Sequence, residues 1–170
     1  YSGKIGDCLF SNCMFDDDFY GDYTGPQGPI LVRNSSADVN VGVVTFEKCS
    51  FNYHRYIARL AANAGSYLKV VIKDSDFDIK SLDISGNYNS YDLEFINNKV
   101  FSESYYLNIV QGHLGNAIIQ GNEFENQAFL LQYSSLPRTF QNNSFKGLNG
   151  KKPIIINKAS NVVSLSNSSR

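Results

Sequence analysis

Apolar residues along this chain recur in a short pattern at nearly even intervals. Each copy starts at an apolar residue, continues through mostly polar or small residues and closes at a phenylalanine five or six positions later. Six copies occupy residues 10–15, 46–51, 72–77, 95–101, 119–124 and 140–145, and a seventh starts at residue 165. Repeats of roughly 20 to 50 residues are typical of solenoids, so the pattern predicts a repetitive fold.

At least two short strands are predicted in each repeat, with a short third segment around the closing Phe. Apolar and polar residues alternate just before most copies, for example in residues 69–72, and this alternation indicates a strand. Second strands are predicted after the copies, at residues 29–33, 56–60, 81–84, 106–110, 129–133 and 153–157. No segment between them has a helical pattern, so we expect an all-β fold, a parallel β-helix of about seven rungs with no significant helix.

Stacked rungs would place equivalent positions of the repeat above one another. The fourth position then forms a column of small and turn-prone residues: Cys13, Cys49, Ser75, Asn98, Asn122, Asn143 and Ser168. We expect this column to lie at a bend with unusual backbone angles and its Asn amides to hydrogen-bond along the stack. The closing residues are expected to form an inward aromatic column: Phe15, Phe51, Phe77, Phe101, Phe124 and Phe145. Because Phe101 comes one residue late, we also expect a β-bulge near Lys99 and Val100.

Composition and charge narrow the class of protein. With 170 residues, 42% of them hydrophobic, the chain can bury a core as one domain, residues 1–170. It begins without Met and without a signal peptide, which indicates a fragment of a longer chain. The net charge of -1 comes with no basic block, so we expect no nucleic-acid partner. No apolar run is long enough for a membrane span.

The three cysteines, Cys8, Cys13 and Cys49, suit neither a disulfide framework nor a metal site. Their number is odd, and no Cys-x-x-Cys or paired His spacing is present. We expect all three to be buried thiols. Stacking would make Cys13 and Cys49 rung neighbours, close enough for a disulfide, but we favour reduced thiols. We expect no cofactor and no metal.

The repeat resembles that of a known group of proteins. An apolar residue, polar residues often including Asn, and a Phe, repeated about every 24 residues, are similar to the right-handed parallel β-helix of the pectate-lyase-like superfamily. Low charge, abundant Asn, Ser and Tyr, and no Trp most resemble a bacteriophage tailspike or tail appendage protein. The resemblance implies a homotrimer in the virion tail, or an extracellular protein, that binds or cleaves a bacterial surface polysaccharide. The calcium site and Arg motif of pectate lyases are not matched.

The pattern predicts a sugar-binding face on the second strands of the repeats. Their outward positions form a polar stripe with flanking tyrosines, and the predicted substrate-binding residues are Arg33, Tyr56, Arg59, Tyr106, Asn108 and Gln132. Polar groups at rung spacing beside aromatic rings suit an extended sugar chain. The alternative is a solvated sheet face in which Arg59 and Asp83 form an ordinary surface ion pair.

Asp83 is also the first candidate for catalysis. Glycoside hydrolysis needs two carboxyl groups about 5 to 9.5 Å apart. Asp18 or Asp22, or else Asp16 or Asp17, all in the polar segment 16–28, would supply the second group if that segment reaches over the stripe. The alternative is an acidic surface loop without chemistry.

Three functions remain open at this level. The first is a tailspike that binds and degrades a host polysaccharide, as a hydrolase or lyase. The second is a non-catalytic structural or receptor-binding shaft of a trimeric fibre, favoured by the lack of a catalytic motif. The third is a secreted bacterial polysaccharide lyase, disfavoured by the missing lyase motifs.

Overall fold

The fold is built from short parallel strands. The computed structural model describes residues 4–17, 40–53, 69–79, 83–86, 92–102, 107–112, 116–125, 128–132, 138–147, 154–158, 162–165 and 168–169. Its strands are β1 Lys4–Ile5, β2 Cys8–Ser11, β3 Met14–Asp17, β4 Asn40–Val41, β5 Val43–Glu47, β6 Ser50–Tyr53, β7 Lys69–Lys73, β8 Asp76–Ile79, β9 Asp83–Gly86, β10 Asp92–Ile96, β11 Lys99–Ser102, β12 Leu107–Gly112, β13 Ala117–Gln120, β14 Glu123–Glu125, β15 Ala128–Gln132, β16 Arg138–Gln141, β17 Ser144–Lys146, β18 Ile154–Lys158, β19 Val162–Leu165 and β20 Ser168–Ser169. Within these ranges there is no helix.

The strands stack into three long parallel sheets. Sheet 1 has the order β19-β16-β13-β10-β7-β5-β2, sheet 2 the order β20-β17-β14-β11-β8-β6-β3, and sheet 3 the order β18-β15-β12-β9. A further parallel pair joins β1 to β4. Within the described residues, each repeat adds one strand to sheet 1 and then one to sheet 2, and four repeats add a third strand to sheet 3, which is the arrangement of a parallel β-helix. The predicted all-β solenoid without significant helix is confirmed.

Alternation of side chains explains where the core lies. Along β7 and β10 every second residue is buried, so that Val70, Ile72, Leu93 and Phe95 point inward while their neighbours are half-buried outside. Valine, isoleucine and phenylalanine suit strands because they pack well on a pleated surface. The core therefore lies between sheets 1 and 2, with equivalent residues of successive repeats in register.

A two-residue bend connects sheet 1 to sheet 2 in each repeat. The residue at the third motif position has a left-handed backbone: Asn12, Lys48, Asp74, Asn97, Gly121 and Asn142 have φ between 52° and 67°. The unusual angles expected of the fourth position therefore belong to the third. At Gly121 an added Cβ would lie 2.4 Å from Asn97 Oδ1, so glycine suits this bend for space as well as for conformation.

The fourth motif position forms a buried hydrogen-bonded ladder, as predicted. Asn143 Oδ1 accepts from the backbone N of Asn122 at 3.0 Å, and Asn122 Oδ1 accepts from the backbone N of Asn98 at 2.8 Å. Asn98 Oδ1 accepts from Ser75 N, and Ser75 Oγ accepts from Cys49 N. Each link satisfies a polar group that the bend would otherwise leave buried and unpaired.

The predicted aromatic column is confirmed except at its fourth member, Phe101. Phe15, Phe51 and Phe77 stack at centroid distances of 5.0 and 4.4 Å. Phe124 and Phe145 stack in the same way at 5.1 Å. In between, the core position belongs to Val100, which is 2% exposed and pairs in register with Phe77 and Phe124. The smaller valine is accommodated because the ring of Phe95, from sheet 1, contacts both Phe77 and Phe124.

The predicted bulge near Lys99 and Val100 is wrong, and so is the inward placement of Phe101. β11 pairs with β8 and β14 without any register shift, and Phe101 lies outside with 36% exposure. An unbroken register retains the backbone hydrogen bonds between these strands, which a bulge would interrupt. Register shifts occur instead in β12, where one extra residue lies between Asn108 and Gln111 relative to β9.

All three cysteines are free thiols, as predicted. Cys49 is buried as expected, whereas Cys8 and Cys13 are only half-buried. Cys49 Sγ lies 3.4 Å from the carbonyl oxygens of Phe10 and Glu47, so its thiol is a weak donor inside the bend.

Candidate functional site

Some of the predicted site residues lie outside the part of the chain that the structure describes, and the others lie in sheet 3. Asp18, Asp22, Arg33, Tyr56, Arg59 and Tyr106 lie outside the described residues. Asp83, Asn108 and Gln132 lie on β9, β12 and β15 of sheet 3. Their roles in binding or catalysis stay predictions.

Backbone pairing in sheet 3 relates these three residues to one another. Asp83 is the register partner of Asn108, so these two are rung neighbours. Leu130 is the partner of Asn108 on the next strand, and Gln132 lies two residues further along, opposite Lys158. The extra residue in β12 shifts the register, which sequence spacing alone does not reveal.

A groove lies on another face, the outer surface of sheet 2. It has a volume of about 570 Å³, within the range of roughly 300 to 1,000 Å³ that is usual for ligand sites. Its outward-facing lining comes from β6, β8, β11, β14 and β17: Ser50, Asp76, Asp78, Lys99, Phe101, Glu123, Glu125, Ser144 and Lys146. We call it the Phe101 groove.

Strand register arranges this lining in two parallel rows. The first row runs along the paired residues Ser50, Asp76, Lys99, Glu123 and Ser144. The second row runs along Asn52, Asp78, Phe101, Glu125 and Lys146. Neighbouring strands are about 4.8 Å apart, so each row presents one side chain about every 4.8 Å along the β-helix.

Phe101 is the feature that distinguishes the second row. Its register partners on both sides, Asp78 and Glu125, are acidic, and further along the row Asn52 and Lys146 are polar. A large aromatic side chain that is 36% exposed among such residues offers an apolar surface surrounded by hydrogen-bonding groups. That combination is typical of sites that bind amphipathic ligands.

The charges of the groove are mostly acidic. Four carboxylates and two lysines line it, for a formal net charge of -2. Lys146 Nζ binds Glu125 Oε1 at 2.9 Å. In the described part of the chain, the side chains of Asp76, Asp78 and Glu123 make no hydrogen bond or ion pair with another residue. Within the described residues, therefore, a ligand would displace no partner from these three carboxylates.

Sequence reasoning missed this groove because it assigned Phe101 to the core. The signal was nevertheless present in the alternation Lys99-Val100-Phe101-Ser102, in which an apolar residue already occupies the inward position. Ser102, the next inward residue, is fully buried, in agreement with that phase.

Neither a cluster of metal-ligating side chains nor a membrane-spanning helix is found in the described ranges. No three His, Cys, Asp or Glu side chains come together there as metal ligands. The same residues include no helix of the length and hydrophobicity that a membrane crossing requires.

Comparisons with known proteins returned no match. Neither a protein-family model, nor a curated protein, nor a solved structure is similar to this chain at a significant level.

Proposed function

We propose that this chain is the β-helix of a bacteriophage tailspike or tail appendage, and that it binds and degrades a surface polysaccharide of the host bacterium in the Phe101 groove. The observation that carries the binding proposal is the exposed Phe101 flanked by carboxylates. The phage context rests on the resemblance of the repeat, and a homotrimer in the virion tail belongs to the same proposal.

The groove suits a sugar chain for two physical reasons. Pyranose rings have apolar faces that pack on an aromatic ring, and hydroxyl groups that donate to carboxylates. The five strands that line the groove extend over roughly 19 Å at about 4.8 Å per step, so several sugar units would fit along them.

Cleavage would use the carboxylates. Asp76 and Asp78 are two residues apart on β8, which separates their Cα atoms by about 6.6 Å. Both side chains are exposed on the same face of β8, so their carboxyl groups can adopt a separation in the range found in glycosidases. One carboxylic acid would protonate the leaving oxygen while the other carboxylate activates water, as in inverting enzymes. Asp83, with Asp18 or Asp22, is the alternative pair predicted from sequence.

Binding can be tested with a panel of bacterial capsular and cell-wall polysaccharides. We expect at least one to bind, and Phe101→Ala to weaken that binding about tenfold or more, because an aromatic contact surface is lost. Phe101→Tyr is the matched control and should bind normally. Binding that is unchanged in Phe101→Ala, or no binding to any member of the panel, would overturn the proposal.

Degradation is tested on the bound polysaccharide by measuring new reducing ends. Asp78→Asn should abolish their release while binding is retained, and Asp83→Asn should leave the release intact. The reverse pattern would assign the chemistry to the sheet 3 stripe instead.

A non-catalytic shaft is the second candidate. The Asn ladder and the stacked phenylalanines favour it, because both stabilise the stack of rungs and neither takes part in a reaction. Under this alternative the protein binds glycan or assembles into trimers, and no reducing ends appear with any polysaccharide.

A further inference from the structure

The charge of the Phe101 groove points to the class of glycan it takes. We propose that its ligand is a polysaccharide containing amino sugars with free ammonium groups, and that acidic polysaccharides are excluded. This inference rests on the proposed glycan-binding function and specifies its substrate.

The first argument is the position of the carboxylates around the ring. Asp78, Phe101 and Glu125 are consecutive register partners, so the backbone of each acidic residue is one strand, about 4.8 Å, from that of Phe101. In the first row Asp76 and Glu123 flank Lys99 in the same way. A sugar over Phe101 is therefore bordered by acidic residues on both sides along the β-helix.

The second argument is the chemistry of the ring itself. An ammonium group within about 6 Å of the face of a phenylalanine is attracted by the negative face of the ring. Phe101 and the carboxylate of Asp78, which has no ion pair within the described residues, therefore attract a cation through different interactions. A ligand carboxylate at the same place would be repelled by both.

The third argument concerns the lysines, which would otherwise recruit an anion. Lys146 is paired with Glu125 at 2.9 Å, which compensates its charge. Lys99 lies between two acidic register partners, Asp76 and Glu123. The groove as a whole keeps its net charge of -2, so neither lysine creates an anion site.

Three oligosaccharides of similar length separate the possible ligands. They are a glucosamine oligomer, which is cationic, its fully N-acetylated form, which is neutral, and an oligogalacturonate, which is anionic. Calorimetry on the intact chain at low salt should give binding to the glucosamine oligomer about tenfold or more tighter than to the acetylated form, and none to oligogalacturonate. High salt should reduce the difference.

Variants assign this preference to the groove. The double variant Asp76→Asn/Asp78→Asn should bring the two glucosamine-based oligomers to similar affinity, mainly by weakening the cationic one. Asp74→Asn is the matched control, because Asp74 is an exposed acid in the bend before β8, outside the groove lining, at a motif position that Asn occupies in other repeats. It should change neither affinity.

The outcomes distinguish this inference from the function on which it rests. Equal affinity for the cationic and neutral forms, or binding of oligogalacturonate that Phe101→Ala abolishes, overturns the amino-sugar assignment and leaves glycan binding in the groove intact. A cationic preference that persists in Phe101→Ala and in the double variant overturns the groove as its origin. If no polysaccharide or oligosaccharide of either set binds, both proposals are overturned.

Discussion

Asn122 shows at the scale of one residue how a rung is attached to its neighbours. Its side chain is 1% exposed, its Oδ1 accepts from the N and Nδ2 of Asn98, and its Nδ2 donates to the carbonyl oxygen of Phe95. An amide is suited to this position because it has an acceptor and two donors on one short side chain. Ser75 and Cys49 have smaller side chains with fewer hydrogen-bonding groups, so the ladder is weaker in the repeats that contain them.

Replacing this amide tests the ladder. We expect Asn122→Ala to lower the free energy of unfolding by about 1–3 kcal/mol or more, because several buried polar groups lose their partner. Urea denaturation measures the change. Asn116→Ala is the control, since Asn116 is exposed, and it should have little effect. Similar values for the two variants would mean that the ladder does not contribute to stability.

At the scale of one element, strand β11 illustrates how alternation decides between core and surface. Its residues alternate strictly, with Val100 and Ser102 buried and Lys99 and Phe101 outside. Continuous pairing with β8 and β14 holds this phase. A shift by one residue would move Phe101 inward, but it would also turn Val100 outward and interrupt the backbone hydrogen bonds to β8 and β14.

A pair of substitutions tests the phase of β11. Val100→Asp places an unpaired carboxylate in the core and should destabilise the protein by about 3–5 kcal/mol. Phe101→Asp places the same group on the outer face, where repulsion by Asp78 and Glu125 should lower stability by only about 1 kcal/mol. Thermal unfolding compares the two. If Phe101→Asp were the more damaging variant, the register of β11 would have to be reassigned.

At the scale of the whole molecule, burial is uneven along the β-helix. In the middle of the stack, Val70 and Phe95 are fully buried. In β2 the inward Phe10 is still 40% exposed, although its ring stacks on Phe46 at 5.0 Å. Stability in a solenoid comes from each repeat and its neighbours, so unequal packing gives unequal local stability.

Hydrogen exchange should detect this difference. We expect amides in residues 92–102 to exchange on the order of tenfold or more slowly than those in residues 4–17, because local opening is easier where packing is poor. Mass spectrometry of peptides from the exchanged protein gives both rates, and the same peptides from denatured protein correct for intrinsic rates. Equal protection in the two segments would show that the described strands open as one cooperative unit.

Ion pairs on the outer faces contribute little to the stability of the stack. Lys73 and Glu47 are 3.5 Å apart across adjacent strands of sheet 1, and both side chains are about one third exposed. Exposed pairs of this kind stabilise by roughly 0–1 kcal/mol. They hold the rungs in register less firmly than the buried ladder and the stacked rings.

Much of the fold was predictable from sequence, whereas the candidate site was not. The recurring Asn in the fourth motif position and the closing Phe predicted the ladder and most of the aromatic column, because a solenoid places equivalent residues in contact. The stripe predicted on sheet 3 depended on equal spacing after the motif, whereas the register partner of Asn108 is Leu130 and Gln132 lies two residues further along.

The sequence by itself determined the parallel β-helix, its ladder and its core, since these depend on a local pattern that each repeat restates. Only the tertiary structure decided that Val100 fills the core, that Phe101 lies outside, and that Asp78 and Glu125 flank it. The physical reason is that these outcomes depend on hydrogen-bonded register between strands more than 20 residues apart. Spacing within one repeat does not specify that register.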